Sequence, residues 1–249
     1  MKKESSLWSD AWRRLLANKA AVAGGMILIV LIFLAIFAPW IAPHSYSYQN
    51  LELGAQPPSS EFLLGTDTLG RDLFSRILYG ARVSLLVGFV ATSVALVIGV
   101  SWGIVAGYFG GRIDSVMMRI VDVLYGLPFI IFIILLMVIF GRNIWLLFGA
   151  IGAVEWLTMA RIVRGQVLTV KTQEYVLAAQ AMGVSNIQMF RKHIYPNILG
   201  PIAVYATLTI PQVMLLEAFL SFLGLGIQPP MSSWGTLIRY GVESMEEYS

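Results

Sequence analysis

Five long apolar stretches alternate with shorter polar segments along this 249-residue chain. They cover about residues 20–42, 83–108, 116–140, 144–163 and 198–223. A helix needs about 20 mostly apolar residues to cross the hydrocarbon core of a bilayer, and each stretch reaches that length. The every-second-residue alternation that marks the strands of a membrane barrel is absent from the sequence. The pattern therefore predicts an all-α protein, a polytopic bundle of transmembrane helices with five spans.

The composition agrees with this prediction and excludes several other classes. Hydrophobic residues make up 57% of the chain and charged residues 12%, whereas an average soluble domain carries about 25% charged residues. The chain has no Cys, which excludes a disulfide scaffold and a Cys-ligated metal site. The net charge is only +3, so we interpret the basic residues as topology signals in a lipid bilayer and expect no nucleic-acid partner.

The distribution of basic residues predicts the orientation. If the N-terminus is cytoplasmic, 12 of the 17 Lys and Arg residues lie on the cytoplasmic side, as the positive-inside rule requires. Residues 1–19 then form a cytoplasmic amphipathic segment, and residues 43–82 form a polar extracytoplasmic loop. The first span is too long for the apolar region of a signal peptide, so we interpret it as an uncleaved anchor.

One cytoplasmic segment, residues 164–197, is neither a span nor a polar linker. Its residues 175–182 combine helix formers with an apolar face, and Gly183 follows them. A second short helix is expected over residues 184–191, with Pro196 stopping it before the fifth span. Such a hairpin, in a chain without a soluble domain, indicates a docking site for another protein. The alternative is a re-entrant or interfacial helix that only covers the bundle.

A few ionisable groups fall inside the predicted spans. Glu155 and Glu217 are candidates for a polar path or for an interface with a partner helix, because carboxylates are costly near the bilayer centre. Arg119 and Asp122 are spaced i, i+3, so we expect them to form a structural pair. The sequence holds no phosphate-binding G-x-x-x-x-G-K-[ST] loop and no H-E-x-x-H motif. We therefore expect no enzymatic activity, no metal site and no cofactor in this chain.

Gly99, Gly103 and Gly107 form a doubled small-xxx-small pattern in the second span. This spacing lets two helix backbones approach closely, and we interpret it as a packing face.

Several segments resemble the permeases of ATP-binding-cassette (ABC) importers. Residues 174–198 resemble the E-A-A-x-x-x-G-x(9)-I-x-L-P loop of that family, with Ala178, Ala179, Gly183 and Pro196 on the motif. Leu177 stands where the family motif has Glu, while His193 and Tyr195 replace its Ile and Leu. Further segments resemble the C-type subunit of the oligopeptide, dipeptide and nickel branch; they are residues 64–67, 70–72, 79–82, 156, 160–161, 164–165 and 220–226.

The resemblance implies a type I importer permease, with residues 20–249 as its transmembrane permease domain in a bacterial or archaeal cell membrane. The implied partners are a second permease subunit, two cytoplasmic ABC ATPases that bind ATP and Mg, and an extracytoplasmic solute-binding protein. The implied coupling helix covers about residues 175–183, and the implied ATPase-coupling residues are Tyr175, Leu177, Ala178, Ala179, Gly183 and Pro196. The implied binding-protein contacts are Asp67, Arg71 and Asp72.

Within this resemblance the solute is expected to be a di- or oligopeptide, with a nickel chelate as the alternative. An ion-coupled secondary transporter is the alternative from a different functional class. Pro128 and Pro211 would be its helix kinks, but no internal repeat supports it. The resembling permeases have six spans and this sequence shows five. We therefore expect the last transmembrane helix to be missing after residue 249.

Overall fold

The computed structural model describes residues 7–141 and 143–247 and is almost entirely helical. Within this described part the only β-type pairing is an isolated bridge between Thr66 and Asp72, so the all-α prediction is confirmed. The helices are α1 (Leu7–Ala17), α2 (Lys19–Ile41), α3 (Leu73–Phe109), α4 (Gly111–Tyr125), α5 (Phe129–Phe140), α6 (Ile144–Lys171), α7 (Glu174–Ala181), α8 (Asn186–Met189), α9 (Tyr195–Phe222) and α10 (Trp234–Glu247), with a π-helical segment at Phe190–Ile194 between α8 and α9.

The chain divides into two units at Val83. The first holds α1, α2, the following loop and the start of α3. Within it, the Asn18 side chain caps α2 by accepting hydrogen bonds from the backbone N–H groups of Ala20 and Ala21 at 3.1 and 3.2 Å. Residues 43–72 form an irregular loop, and helix α3 begins at Leu73, ten residues earlier than the predicted span.

Within residues 7–141 and 143–247, four helical runs are long and apolar enough to cross a membrane. They are α2, α3, α6 and the continuous run from Asn186 to Phe222. Helices α4 and α5 pass the same test only together, and they meet at a 76° bend. The third apolar stretch is therefore broken rather than straight, because Gly126 ends α4 and Pro128, at the start of α5, cannot continue the preceding helix.

The start of the last span differs from the prediction. Pro196 does not stop the preceding short helix, since the chain runs from α8 through the π-helical segment directly into α9. The wider π turn pairs the Tyr195 N–H with the Phe190 carbonyl, and proline at the first turn of α9 needs no N–H partner. Helix α9 also continues past Pro201 and Pro211.

The core of the second unit lies where α3, α6 and α9 pack together. Gly99, Gly103 and Gly107 all face α6, and a Cβ at Gly99 would lie 2.6 Å from the Met159 Cβ. The interpretation of the glycine pattern as a packing face is confirmed. One buried cluster of this core contains Met159, Val163, Val167, Val170, Val176, Ala179, Met189, Ile194, Ile198 and Ile202.

Candidate functional site

The hairpin that follows α6 begins with α7 and reverses at Gly183. The backbone there forms a glycine-terminated helix end, because Val184 N–H donates to the Ala179 carbonyl at 3.2 Å and Gly183 N–H donates to the Gln180 carbonyl at 3.0 Å. Gly183 has a φ of +76°, which an L-residue with a side chain adopts only with strain. The turn was therefore predictable from the position of the glycine.

The underside of α7 is buried in the core. Val176 and Ala179 are 3% and 2% exposed, and both belong to the cluster formed by α6, α7 and α9. Of the two alanines on the importer motif, Ala179 therefore faces the bundle while Ala178 is exposed. Ala178 can therefore contact a partner protein directly, whereas Ala179 packs α7 against the rest of its own chain.

The outer side of the hairpin is apolar. Tyr175, Leu177, Met182 and Ile187 are 44%, 51%, 77% and 72% exposed. Several exposed apolar side chains grouped on one hairpin are typical of a protein-docking site. Pro196, also placed on the motif, is exposed at the first turn of α9.

Polar contacts join the hairpin to the end of α3 and join the ends of α3 and α6 to each other. The Tyr108 hydroxyl, at the end of α3, donates to the Asn186 carbonyl at 2.9 Å. The Lys171 ammonium, at the end of α6, donates to the Tyr108 carbonyl at 2.8 Å. The Tyr108 ring also packs edge-on against Phe190. The hairpin is thus joined to α3, α6 and α9, so a displacement of α7 acts on all three.

The three predicted binding-protein contacts lie in the loop of the first unit. The Asp67 carboxylate accepts hydrogen bonds from the Leu69 N–H at 2.9 Å and from the Arg71 Nε at 2.7 Å. The Asp72 carboxylate accepts from both the N–H and the hydroxyl of Ser75 at 2.9 and 2.5 Å. Arg71 and Asp72 are only 4% and 3% exposed. Their side chains therefore shape the loop and are not displayed on its surface.

Glu217 lies in a buried cluster with three serines. Its carboxyl accepts hydrogen bonds from the Ser221 hydroxyl at 2.6 Å and from the Ser84 hydroxyl at 3.4 Å. Ser233, before α10, lies 3.4 Å from the Ser221 hydroxyl, and the Trp234 N–H donates to Ser84 at 3.1 Å. Glu217 is 0% exposed, so in this conformation it ties α3, α9 and the start of α10 together and does not line an open path.

We expect Glu217→Leu to destabilise the chain by about 2 kcal/mol or more, because buried hydroxyls that lose their acceptor each cost about 1–3 kcal/mol. Glu217→Gln retains an acceptor and should be milder. Thermal unfolding of the detergent-solubilised protein measures the difference. Ser84→Ala removes one of the hydroxyls that bond to Glu217 and should also lower the melting temperature. Its matched control is Ser101→Ala, since Ser101 is an exposed serine of the same helix whose hydroxyl donates to the Val97 carbonyl. Equal melting temperatures for Ser84→Ala and Ser101→Ala would contradict the role of the cluster.

Two ion pairs join α4 to α6. Arg164 forms a two-point ion pair with Asp114, one bond of which measures 2.6 Å. Arg161 donates to Asp122 at 2.7 Å. The predicted pairing of Asp122 with Arg119 is therefore wrong, because α6 packs beside α4 and brings Arg161 to the carboxylate. Sequence spacing along one helix could not reveal a partner 39 residues away.

Glu155, the other predicted polar residue, is half-buried on α6. Across residues 7–141 and 143–247, no three His, Asp or Glu side chains come close enough together to hold a metal ion.

Two known protein families match segments of the chain. Residues 99–245 match the family described as binding-protein-dependent transport system inner membrane component. Residues 6–58 match the N-terminal transmembrane domain of oligopeptide transport permease C. The chain is 50% identical over 240 residues to the dipeptide transport system permease protein DppC of Bacillus subtilis, covering 96% of this chain and 75% of the relative.

Two oligopeptide transport system permease proteins, both OppC, are nearly as similar. That of Haemophilus influenzae is 49% identical, with 97% of this chain and 78% of the relative covered. That of Bacillus subtilis is 46% identical, with 99% of this chain and 81% of the relative covered.

Proposed function

Because the chain belongs to the family of binding-protein-dependent transport system inner membrane components, we infer that it is the membrane-spanning permease subunit of an ABC peptide importer. The relatives named for dipeptide and oligopeptide transport support a peptide solute. They favour neither the nickel-chelate alternative nor an ion-coupled secondary transporter. The chain is a multi-pass membrane protein, and its role is transport.

The proposed complex contains a second permease subunit, two cytoplasmic ABC ATPases and an extracytoplasmic solute-binding protein. This chain contributes half of the translocation path, and ATP hydrolysis takes place on the ATPases. A binding protein delivers the peptide, and closure of the ATPase pair drives the permease between its outward-open and inward-open states. Such coupling requires an element of the permease whose position the ATPase controls.

The observation that carries this proposal is the two-sided character of α7. Its exposed residues Tyr175, Leu177 and Ala178 offer an apolar face to an ATPase, while buried Val176 and Ala179 attach the helix to the bundle. A force applied to the outer face therefore reaches α6 and α9 through side-chain packing. It reaches α3 through the Tyr108 hydroxyl bond to Asn186.

On the other side of the membrane, we propose that the loop of residues 43–72 receives the binding protein. Asp67, Arg71 and Asp72 hold the loop in shape through their hydrogen bonds. The contact surface is then supplied by exposed side chains such as Leu51 and Leu63, which are 71% and 53% exposed.

The function is tested by reconstituting the complete complex in proteoliposomes with its binding protein. We expect peptides, and not nickel chelates, to stimulate ATP hydrolysis and to be taken up. Stimulation by nickel chelates alone, or uptake driven by an ion gradient without ATP, would overturn the proposal.

The proposed cytoplasmic N-terminus predicts which sites an impermeant thiol reagent reaches in intact cells. The chain has no Cys, so single cysteines report without background. Ser60→Cys in the outer loop and Ile238→Cys on α10 should be labelled, since both positions are exposed. Ser233 is 0% exposed and is unsuitable as a reporter. Gln188→Cys on the exposed hairpin is the control that should react only after membrane disruption, and the reverse labelling pattern would refute the orientation.

A further inference from the structure

A stripe of polar side chains runs along the exposed side of α4. It contains Arg112, Ser115, Arg119 and Asp122, which follow one another at intervals of three and four residues and therefore share a helix face. All four are exposed. The other side of α4 is different, since Val121 is fully buried against α6.

A second stripe follows the neighbouring membrane-spanning helix α6. Glu155, Thr158, Arg161, Gly165 and Thr169 recur at three- and four-residue intervals, and each is exposed or half-exposed. Glu155 lies near the middle of the apolar stretch 144–163, and Arg161 follows on the same stripe near the end of that stretch. An ionisable side chain near the middle of a span is costly against lipid and is found facing a water-filled cavity or a protein partner. The two stripes therefore mark a face of the bundle that is turned away from lipid.

Arg161 is the best-defined cation on this face. Its Nη2 donates to the Asp122 Oδ1 at 2.7 Å, and its guanidinium carbon lies 4.2 Å from the centre of the Tyr125 ring. These contacts fix the plane of the guanidinium, yet the side chain stays 40% exposed. A guanidinium has five N–H donors, and the bond to Asp122 uses one of them. An oriented cation with further donors and an open side is suited to bind a carboxylate.

We propose that Arg161, positioned by Asp122 and Tyr125, binds the C-terminal carboxylate of the peptide on its way through the translocation path. The assignment rests on the peptide-import function proposed above. A peptide with a free C-terminus carries one carboxylate that is common to all sequences, so a single arginine serves peptides of any composition. Asp122 keeps the interaction weak enough for release, because the guanidinium exchanges one carboxylate partner for another.

The test compares uptake of a peptide with a free C-terminus and of the same peptide with an amidated C-terminus. Peptides are chosen that the purified binding protein binds in both forms, and the complete complex is assayed in proteoliposomes. We expect Arg161→Gln to lower uptake of the free-acid peptide about tenfold, since a hydrogen bond to a charged group contributes at least about 1.5 kcal/mol. Uptake of the amidated peptide should change little, and Arg161→Lys should partly restore the preference for the free acid.

Arg239→Gln is the matched control. Arg239 forms an ion pair with Glu243 at the same 2.7 Å distance, with side-chain exposures of 39% and 53%, against 40% and 61% for Arg161 and Asp122. This pair lies on α10, outside both polar stripes, and its loss should affect both peptides equally and slightly.

The remaining outcomes overturn the assignment. If Arg161→Gln lowers uptake of both peptides equally and the second permease subunit no longer co-purifies, the face is a subunit interface. Equal loss with an intact complex, or no loss at all, excludes carboxylate binding at Arg161. Failure of the wild-type complex to take up either peptide would instead contradict the peptide-import function.

Discussion

We expect Ala178→Glu to lower ATP-driven peptide uptake by about tenfold or more, while the chain still folds and inserts into the membrane. Ala178 is exposed on α7, so the new side chain meets no other part of this chain and should leave the bundle intact. In the complex, however, a larger charged group would separate two surfaces that the small alanine allows to approach. It would also bury a carboxylate without a partner, which costs several kcal/mol unless the group stays hydrated. The expected result is an ATPase that no longer responds to the permease.

Leu177→Glu provides the matched comparison, because it places the same charge one residue earlier on the same exposed side of α7. The importer motif that this loop resembles has Glu at that position, so we expect Leu177→Glu to be tolerated. Peptide-stimulated ATP hydrolysis and uptake, measured on the same preparations, separate uncoupling from simple loss of protein. Full uptake by Ala178→Glu would contradict a docking role for α7.

Substitutions at Gly183 provide a second test of the hairpin. Its φ of +76° and the open space around it mean that backbone conformation, and not crowding, restricts this position. Gly183→Val should therefore distort the hairpin and reduce coupling, whereas Gly183→Asn should be nearly neutral, since Asn tolerates positive φ. A charged residue at this position acts mainly through strain.

The helices and the hairpin could be predicted because they depend on local patterns. Apolar runs identify spans, and Gly183 follows a helix-forming segment at the position where a left-handed residue ends a helix. Pro128 indicates the position of the 76° break between α4 and α5, because a proline cannot continue the preceding helix. The predicted helix end at Pro196 was wrong. A proline ends a regular α-helix, but the π-helical segment before Pro196 accommodates its ring.

The tertiary partners could not be predicted from one sequence. Ser84, Glu217 and Ser233 are far apart along the chain, and only the packing of α3 and α10 on α9 brings them together. Arg161 meets Asp122 for the same reason. Helix α10 was missed altogether, because its 14 residues are too few and too polar to register as a span. Pairing across helices depends on crossing geometry, which hydropathy does not encode.

We expect the second large effect from Gly103→Leu, because this substitution changes how closely α3 and α6 can pack. A Cβ at Gly103 would lie 2.8 Å from the Val163 Cβ and 2.9 Å from the Arg164 backbone nitrogen, closer than packed carbon and nitrogen atoms approach. Since the obstacle includes backbone of α6, no side-chain rotation relieves it, and the two helices must separate. Overpacking of a core typically costs about 1–3 kcal/mol and sometimes more, so the yield of correctly folded chain should fall clearly.

Gly149→Leu is the control that isolates this effect. Gly149 lies on α6 itself, yet nothing lies within 4 Å of a Cβ built there, so the same added side chain should be accepted. The amount of monodisperse protein extracted from membranes, followed by size-exclusion chromatography, measures both variants. If Gly103→Leu and Gly149→Leu gave the same yield, the close approach of α3 and α6 would not be a requirement of the fold. If only Gly103→Leu is lost, the fold requires the close packing of the glycine face of α3 against α6.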